Sequence, residues 1–259
     1  MRKHVSELGL DLPDGYNLIR LDIVDSTNAE ALRLAQSEAL GNTLVWAKEQ
    51  THGRGRRGRT WVSPIGNFYC SLLLYPNQAP DQFAQLAFVA ALALSDAINA
   101  VAPKIRVEIK WPNDLLVDGR KIAGILLEGN VNETSKRRSL VVGMGVNVTS
   151  HPKNPGSIQA TSLAREGSKV EFYDLLNPAA HGMGRWIGIW NAQGFGPIRS
   201  EWMNRAVGIG GEVEVRMAEK TVAGVFQSVD DSGALVVSNS GGEHTVKAAD
   251  VFLIGSGEG

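Results

Sequence analysis

The sequence predicts a mixed α/β (α+β) domain followed by a small β-barrel, and three observations carry that prediction. Strand and helix patterns alternate from Leu18 to Arg205; Gln82 to Val101 is a helix apolar on nearly every face; and from Gly208 onward short strands follow one another between turns. A helix without a polar face is buried on all sides, so a sheet and other helices must enclose it. The expected division is a larger domain over residues 1–206 and a smaller one over 207–259.

Leu18 to Val24 alternates apolar and polar side chains, the period of a half-buried strand, and Asp25-Ser26 ends it. Thr27 and Glu30 stand at capping-box spacing before Ala31, Leu32, Leu34 and Ala35, so Ser26, Thr27 and Asn28 gather at a helix N-terminus. A strand over Thr43 to Glu49, a loop of arginines and glycines, a strand over Phe68 to Tyr75 and the apolar helix come next. Ile105 to Lys110 and Leu115 to Val117 read as short strands broken by Pro112. Asp118-Gly119 is a hairpin turn that folds Lys121 to Leu127 back antiparallel, which brings Asp114 and Lys121 close on paired strands. A polar turn, Asn130 to Arg138, leads into the apolar strand Leu140 to Val148, where Gly143 and Gly145 suggest that a ligand or another backbone comes close. Thr149 to Gly156 reads as a surface loop, and Val170 to Trp190 and Pro197 to Arg205 as helices. The barrel is expected from Glu212 to Met217, Thr221 to Val229, Ala234 to Ser238 and Glu243 to Val246.

With 26 Lys+Arg against 27 Asp+Glu, the chain lacks the global basic excess of a protein that coats nucleic acid. Its single cysteine, Cys70, lies in an apolar strand as a buried thiol, which suits a reducing compartment. Met1 to Leu12 contains no export signal, and the longest fully apolar run, Leu86 to Leu94, is shorter than the ~18 residues of a spanning helix. A cytoplasmic protein without a membrane partner is expected. Five dispersed histidines show no zinc-ligand spacing.

Positive charge is concentrated instead at Gly53-Arg54-Gly55-Arg56-Arg57-Gly58-Arg59, where four guanidinium groups alternate with glycines. Arginine forks match carboxylate and phosphate oxygens, and glycine lets backbone N–H groups approach an anion. The segment satisfies G-x-G-x-x-G, yet Arg59 to Gly66 has no helical period, so the dinucleotide reading fails in context. Four like charges repel one another, so the loop is expected to order when an anion arrives, with Arg57 a solvated neighbour.

Further motifs narrow the chemistry: Ser26-Thr27-Asn28, Gln50 before the arginine loop, Trp61-x-Ser63-Pro64, Lys110-Trp111-Pro112-Asn113-Asp114, Lys121-Ile122-Ala123-Gly124-Ile125-Leu126, Gly143-x-Gly145-x-Asn147 and Ala160-Thr161-Ser162-Leu163. In this order they resemble the biotin protein ligase (biotin-[acetyl-CoA-carboxylase] ligase) family over nearly the whole chain, in the form lacking an N-terminal DNA-binding domain. Only 17 residues precede Leu18, so DNA binding and repression are not expected.

The resemblance implies a catalytic domain similar to class II aminoacyl-tRNA synthetases, followed by an SH3-like β-barrel. It implies that biotin and ATP give biotinyl-5'-AMP with Mg2+, and that a lysine of a biotin carboxyl carrier domain then takes the biotinyl group. On that resemblance Ser26, Thr27, Asn28, Gln50, Gly53, Arg54, Gly55, Arg56, Lys121 and Gly124 belong to the biotin pocket. Arg54, Arg56, Arg59, Trp61, Asn113, Lys121 and Asn147 serve ATP, with Trp61 and Asn147 at the adenine. Arg56, Lys121 and Asp114 are the expected catalytic residues, Asp114 lying beside the phosphates and the metal. Family members often dimerise through exposed sheet edges, and His52 stands where the family commonly has a small residue. A lipoate protein ligase is the nearest rival, and a nucleic-acid-binding module using the loop as a phosphate clamp is the rival from another class.

Overall fold

The computed structural model describes residues 10–37, 41–132, 137–153, 158–217, 220–247 and 249–253. Parts of three expectations lie outside them: the leader reading at 1–9, the turn at 133–136 and the surface loop at 154–156.

Strand β1 (Tyr16–Val24), helix α1 (Thr27–Gln36) and strand β2 (Asn42–Gln50) form a βαβ unit, with β1 and β2 parallel. Strand β3 (Phe68–Leu74) is followed by α2 (Leu86–Val101), and then by β4 (Glu108–Lys110), β5 (Asp114–Val117), β6 (Arg120–Val131) and β7 (Arg138–Val146). These make one sheet in the order β1-β2-β3-β7-β6-β5-β4, antiparallel apart from the first pair. Side chains of the inner strands alternate between two covered faces. Val45, Leu73 and Val141 pack on α1 through Ala31 and Ala35. Leu44, Trp46, Leu72, Val142 and Met144 face the main core, which also holds α2. Helices α3 (Leu176–Gln193) and α4 (Phe195–Arg205) pack on α2 and complete that layer. In composition Pro80–Val101 could cross a membrane, but here it is the largely buried centre of this layer.

The second sheet is antiparallel: β8 (Glu212–Arg216), β9 (Thr221–Val229), β10 (Leu235–Asn239), β11 (Gly242–Val246) and β12 (Asp250–Leu253), in the order β11-β10-β9-β8-β12. Strand β12 is absent from the sequence reading, which stops at Val246. Four residues are too few to show a period, and pairing with β8 is what makes them a strand.

Other boundaries moved for local reasons. Ile105 closes a turn onto Ala102, which shortens the strand expected over Ile105 to Lys110 to its last three residues. Strands β6 and β7 run further into the expected turn because their pairing continues to Val131 and Arg138. Helix α1 begins at Thr27, but no capping box forms: the Ser26 side chain makes no cap hydrogen bond, Thr27 bonds to Gln50, and Glu30 bonds to Arg33.

Candidate active site

Parallel pairing of β1 and β2 brings their C-terminal ends to the same edge, so residues 26–28 meet Gln50. The Thr27 amide and hydroxyl both donate to Gln50 Oε1, at 2.8 and 3.0 Å, and Gln50 Nε2 donates to Ser63 Oγ at 2.9 Å. From β3, the Ser71 hydroxyl lies 2.7 Å from Thr27 Oγ1 and 2.5 Å from Asn28 Oδ1. Asn28 Nδ2 donates to Glu128 Oε2 at 2.9 Å. Ser26, Thr27, Asn28 and Ser71 are all buried, so their neutral donors and acceptors are fixed in place, with the Glu128 carboxylate the charged member at the edge of the network.

The arginine loop closes on itself and onto this network. Gly53 is obligatory because a Cβ there would run into the Trp61 carbonyl and the Ser63 hydroxyl. Gly55 N–H donates to the Arg59 carbonyl at 2.7 Å, around a single 3-10 turn, Arg56–Gly58, in which Arg57 has φ 55°. The four guanidinium groups are not left facing one another. Arg54 pairs with Glu128 at 2.9 Å, and Arg57 and Arg59 both reach Asp250 Oδ2, at 3.0 and 2.6 Å. Arg57 is therefore ion-paired and not merely a solvated neighbour. Arg56 donates to Asn113 Oδ1 at 3.1 Å. Burial lowers its guanidinium pKa below the ordinary value, with nearby Asp114 opposing that shift. His52 is exposed, its ring bonded to the Thr51 hydroxyl.

Strands β4, β5 and β6 supply the other cluster. Asn113 donates to the Ile125 carbonyl at 2.7 Å, which leaves its oxygen free to accept from Arg56. A bulge after Leu115 sets Lys121 opposite Leu116, and its ammonium lies 2.6 Å from Asp114 Oδ1 and 5.3 Å from the centre of the Trp61 ring. Residues 159–161 clamp the Lys121 backbone through hydrogen bonds of 2.7 and 2.9 Å. A Cβ on Gly124 would press on Trp61 and Lys121. Lys110, 7% exposed, lines the same cavity, where burial depresses its pKa and Asp114 opposes the shift.

Gly143 and Gly145 do make room, but for this chain's own side chains and not for another backbone: Asn28 lies over Gly143 and Trp61 over Gly145. Asn147 is buried, its amide donating to the Thr161 carbonyl at 2.9 Å.

A cavity of about 250 Å³ unites these groups. It is lined by Ser26, Thr27, Asn28, Gln50, Arg54, Gly55, Arg56, Arg59, Trp61, Asn113, Asp114, Lys121, Gly124 and Asn147; Gly53 alone of the expected site residues stands behind the wall. Sequence reasoning missed Ser71, Glu128 and Asp250, and singled out Lys110 within the motif Lys110–Asp114 without giving it a role. For Lys110 a signal existed, a lysine set between the apolar Ile109 and Trp111. The lining carboxylates, Asp114 and Asp250, are both engaged by cations. Among the described residues no group of three His, Cys, Asp or Glu could hold a metal. Mg2+ would be held here by Asp114 or Asp250 together with the phosphates of a nucleotide.

A model of the Biotin/lipoate A/B protein ligase family matches residues 21–147, and one of the biotin protein ligase C-terminal domain matches residues 208–254. A biotin--[acetyl-CoA-carboxylase] ligase of Paracoccus denitrificans is 44% identical over 240 residues, covering 89% of this chain and 98% of that protein.

The chain belongs to the biotin protein ligase family.

Two further relatives set this biotin protein ligase fold in context. The bifunctional ligase/repressor BirA of Bacillus subtilis is 35% identical over 92% of this chain and 74% of its own length. The biotin protein ligase of Aquifex aeolicus, solved in complex with biotin and ATP, superposes with a TM-score of 0.79 at 27% identity over 92% of this chain and 98% of that one. The biotin ligase-like fold and its SH3-like C-terminal unit thus agree with the expected fold class.

Proposed function

We infer that this protein is an ATP-dependent ligase that activates biotin as biotinyl-5'-AMP and transfers it to a lysine of a carrier domain of acetyl-CoA carboxylase or a related carboxylase. The observation that carries this reading is one cavity in which the neutral side chains Thr27, Asn28 and Gln50, held from behind by Ser71 and Glu128, adjoin Arg56, Lys110 and Lys121. The first cluster suits a ureido ring and the second a carboxylate meeting a triphosphate.

In the first half-reaction a biotin carboxylate oxygen attacks the α-phosphorus, the bond to the bridging oxygen breaks, and pyrophosphate leaves. Negative charge is brought together in that step, so fixed cations lower its barrier. Arg56 and Lys121 fill that role, Arg56 oriented by Asn113 and Lys121 by Asp114. We assign Trp61 and Asn147 to the adenine, Arg59 to the nucleotide side and Arg54 to the lid over biotin and its adenylate. In the second half-reaction the acceptor amine attacks the mixed anhydride carbonyl and AMP departs, and we assign to Asp114 the proton the amine loses. We place the division between the two units at 206/207, the first supplying most of the cavity and the second adding Asp250, Val251 and Phe252 to its wall.

The test is exchange of labelled pyrophosphate into ATP. Exchange should depend on biotin, and equal or greater exchange with lipoate would overturn the assignment in favour of a lipoate ligase.

A further inference from the structure

The small C-terminal sheet reaches the cavity through one carboxylate. Asp250, at the start of β12, accepts from Arg57 Nη1 at 3.0 Å and from Arg59 Nη2 at 2.6 Å on the same oxygen. Asp250 lines the cavity with Val251 and Phe252, whereas Arg57 does not. Two guanidinium groups brought to one point repel each other unless that point is negatively charged. The carboxylate therefore sets the course of the loop between Arg57 and Arg59. Arg57 sits at φ 55°, a backbone region that non-glycine residues seldom occupy unless their surroundings impose it. Its neighbour Arg56 reaches instead to Asn113 on the cavity wall.

Asp250 is itself held in place. Strand β12 pairs with β8, and the small sheet is anchored to the segment that carries Lys110 and Asn113: Trp111 Nε1 donates to the Gly233 carbonyl at 3.0 Å, and Val207 N–H to the Ile109 carbonyl at 2.9 Å.

We propose that Asp250 is a positioning residue for the adenylation half-reaction, holding the loop through Arg57 and Arg59 so that Arg56 faces the cavity. The proposal rests on the ligase reading above. The clasp is partly exposed, with side-chain exposures of 42% for Arg57, 61% for Arg59 and 27% for Asp250. Pairs of this kind contribute little to global stability, so the effect falls on the loop.

The experiment compares the full-length protein with Asp250→Asn, Asp250→Glu and Arg57→Gln in biotin-dependent pyrophosphate exchange and in limited trypsin digestion. Asp250→Asn should raise the KM for ATP about fivefold while moving the KM for biotin less than about twofold, with unchanged Tm and faster cleavage in the loop. Asp250→Glu should recover much of the loss. Arg57→Gln, which removes nothing from the cavity wall, should give the same split, and adding it to Asp250→Asn should change the KM for ATP no further. An unchanged KM for ATP with unchanged loop cleavage, or an equal rise in both KM values, overturns the proposal. Should Asp250→Asn fail to fold, Arg57→Gln decides alone. A wild-type protein without biotin-dependent exchange refutes the ligase reading instead, and loop cleavage then decides whether the clasp exists.

Discussion

Lys110 stands where charge is costly. It is 7% exposed, and among the described residues no hydrogen bond or ion pair holds its ammonium. Burial depresses its pKa from the ordinary 10.5, so between the folded and unfolded values the unfolded chain binds more protons. The cost of the buried charge is full below the folded pKa and fades as pH rises through this window. Lys110→Met should therefore raise stability by about 1 kcal/mol in urea unfolding at neutral pH and flatten its alkaline rise. The same variant should cut kcat/KM for ATP by ~10²-fold, the usual size for one lost electrostatic contact; unaltered exchange would remove Lys110 from the phosphate site. Residues of this kind mark how far the site was legible in the sequence. Arg56, Asp114 and Lys121 announce themselves by motif and hairpin spacing. Ser71, Glu128 and Asp250 do not, because each meets its partner across strands remote in the chain, which neither period nor spacing encodes.

Strand β7 shows the same division between what pattern reveals and what packing decides. Its apolar run predicts a buried strand, and its glycines predict a close approach, but only the fold shows that Asn28 and Trp61 are what approaches. Gly143→Ala should displace the Asn28 side chain, breaking its bonds to Ser71 and Glu128. Calorimetric titration should show biotin binding weakened about tenfold, on the scale of one buried hydrogen bond, while far-UV circular dichroism is retained; wild-type affinity would show that Asn28 does not contact biotin. The elements with several turns or repeats of their period, α2 and β3 above all, were plain from sequence. Capping at α1 was not, since Thr27 had two acceptable uses and the cavity took one of them.

For the molecule as a whole, Trp111 ties the two sheets together. It is 2% exposed, and its indole N–H reaches Gly233, in a turn against which Phe88 packs. Phe88 also meets Phe195 and Trp202 at ring distances of 5.2 and 4.9 Å. Trp111→Phe keeps most of the apolar contact and orphans one buried carbonyl, so it should cost about 1–3 kcal/mol in urea unfolding. Fluorescence and circular dichroism should still report one coincident transition; separate transitions would show that the sheets unfold independently. The central place of β7 has a kinetic consequence. It lies between β3 and β6, with Phe68 opposite Val146 and Leu74 opposite Leu140, so one of its neighbours comes from far back in the chain. Pairings of that sequence separation pay loop-closure entropy first and form slowly. The floor under Asn28 and Trp61 thus cannot exist until this distant pairing has closed, and a growing chain has no binding cavity before β7 emerges, however early its arginine loop is made.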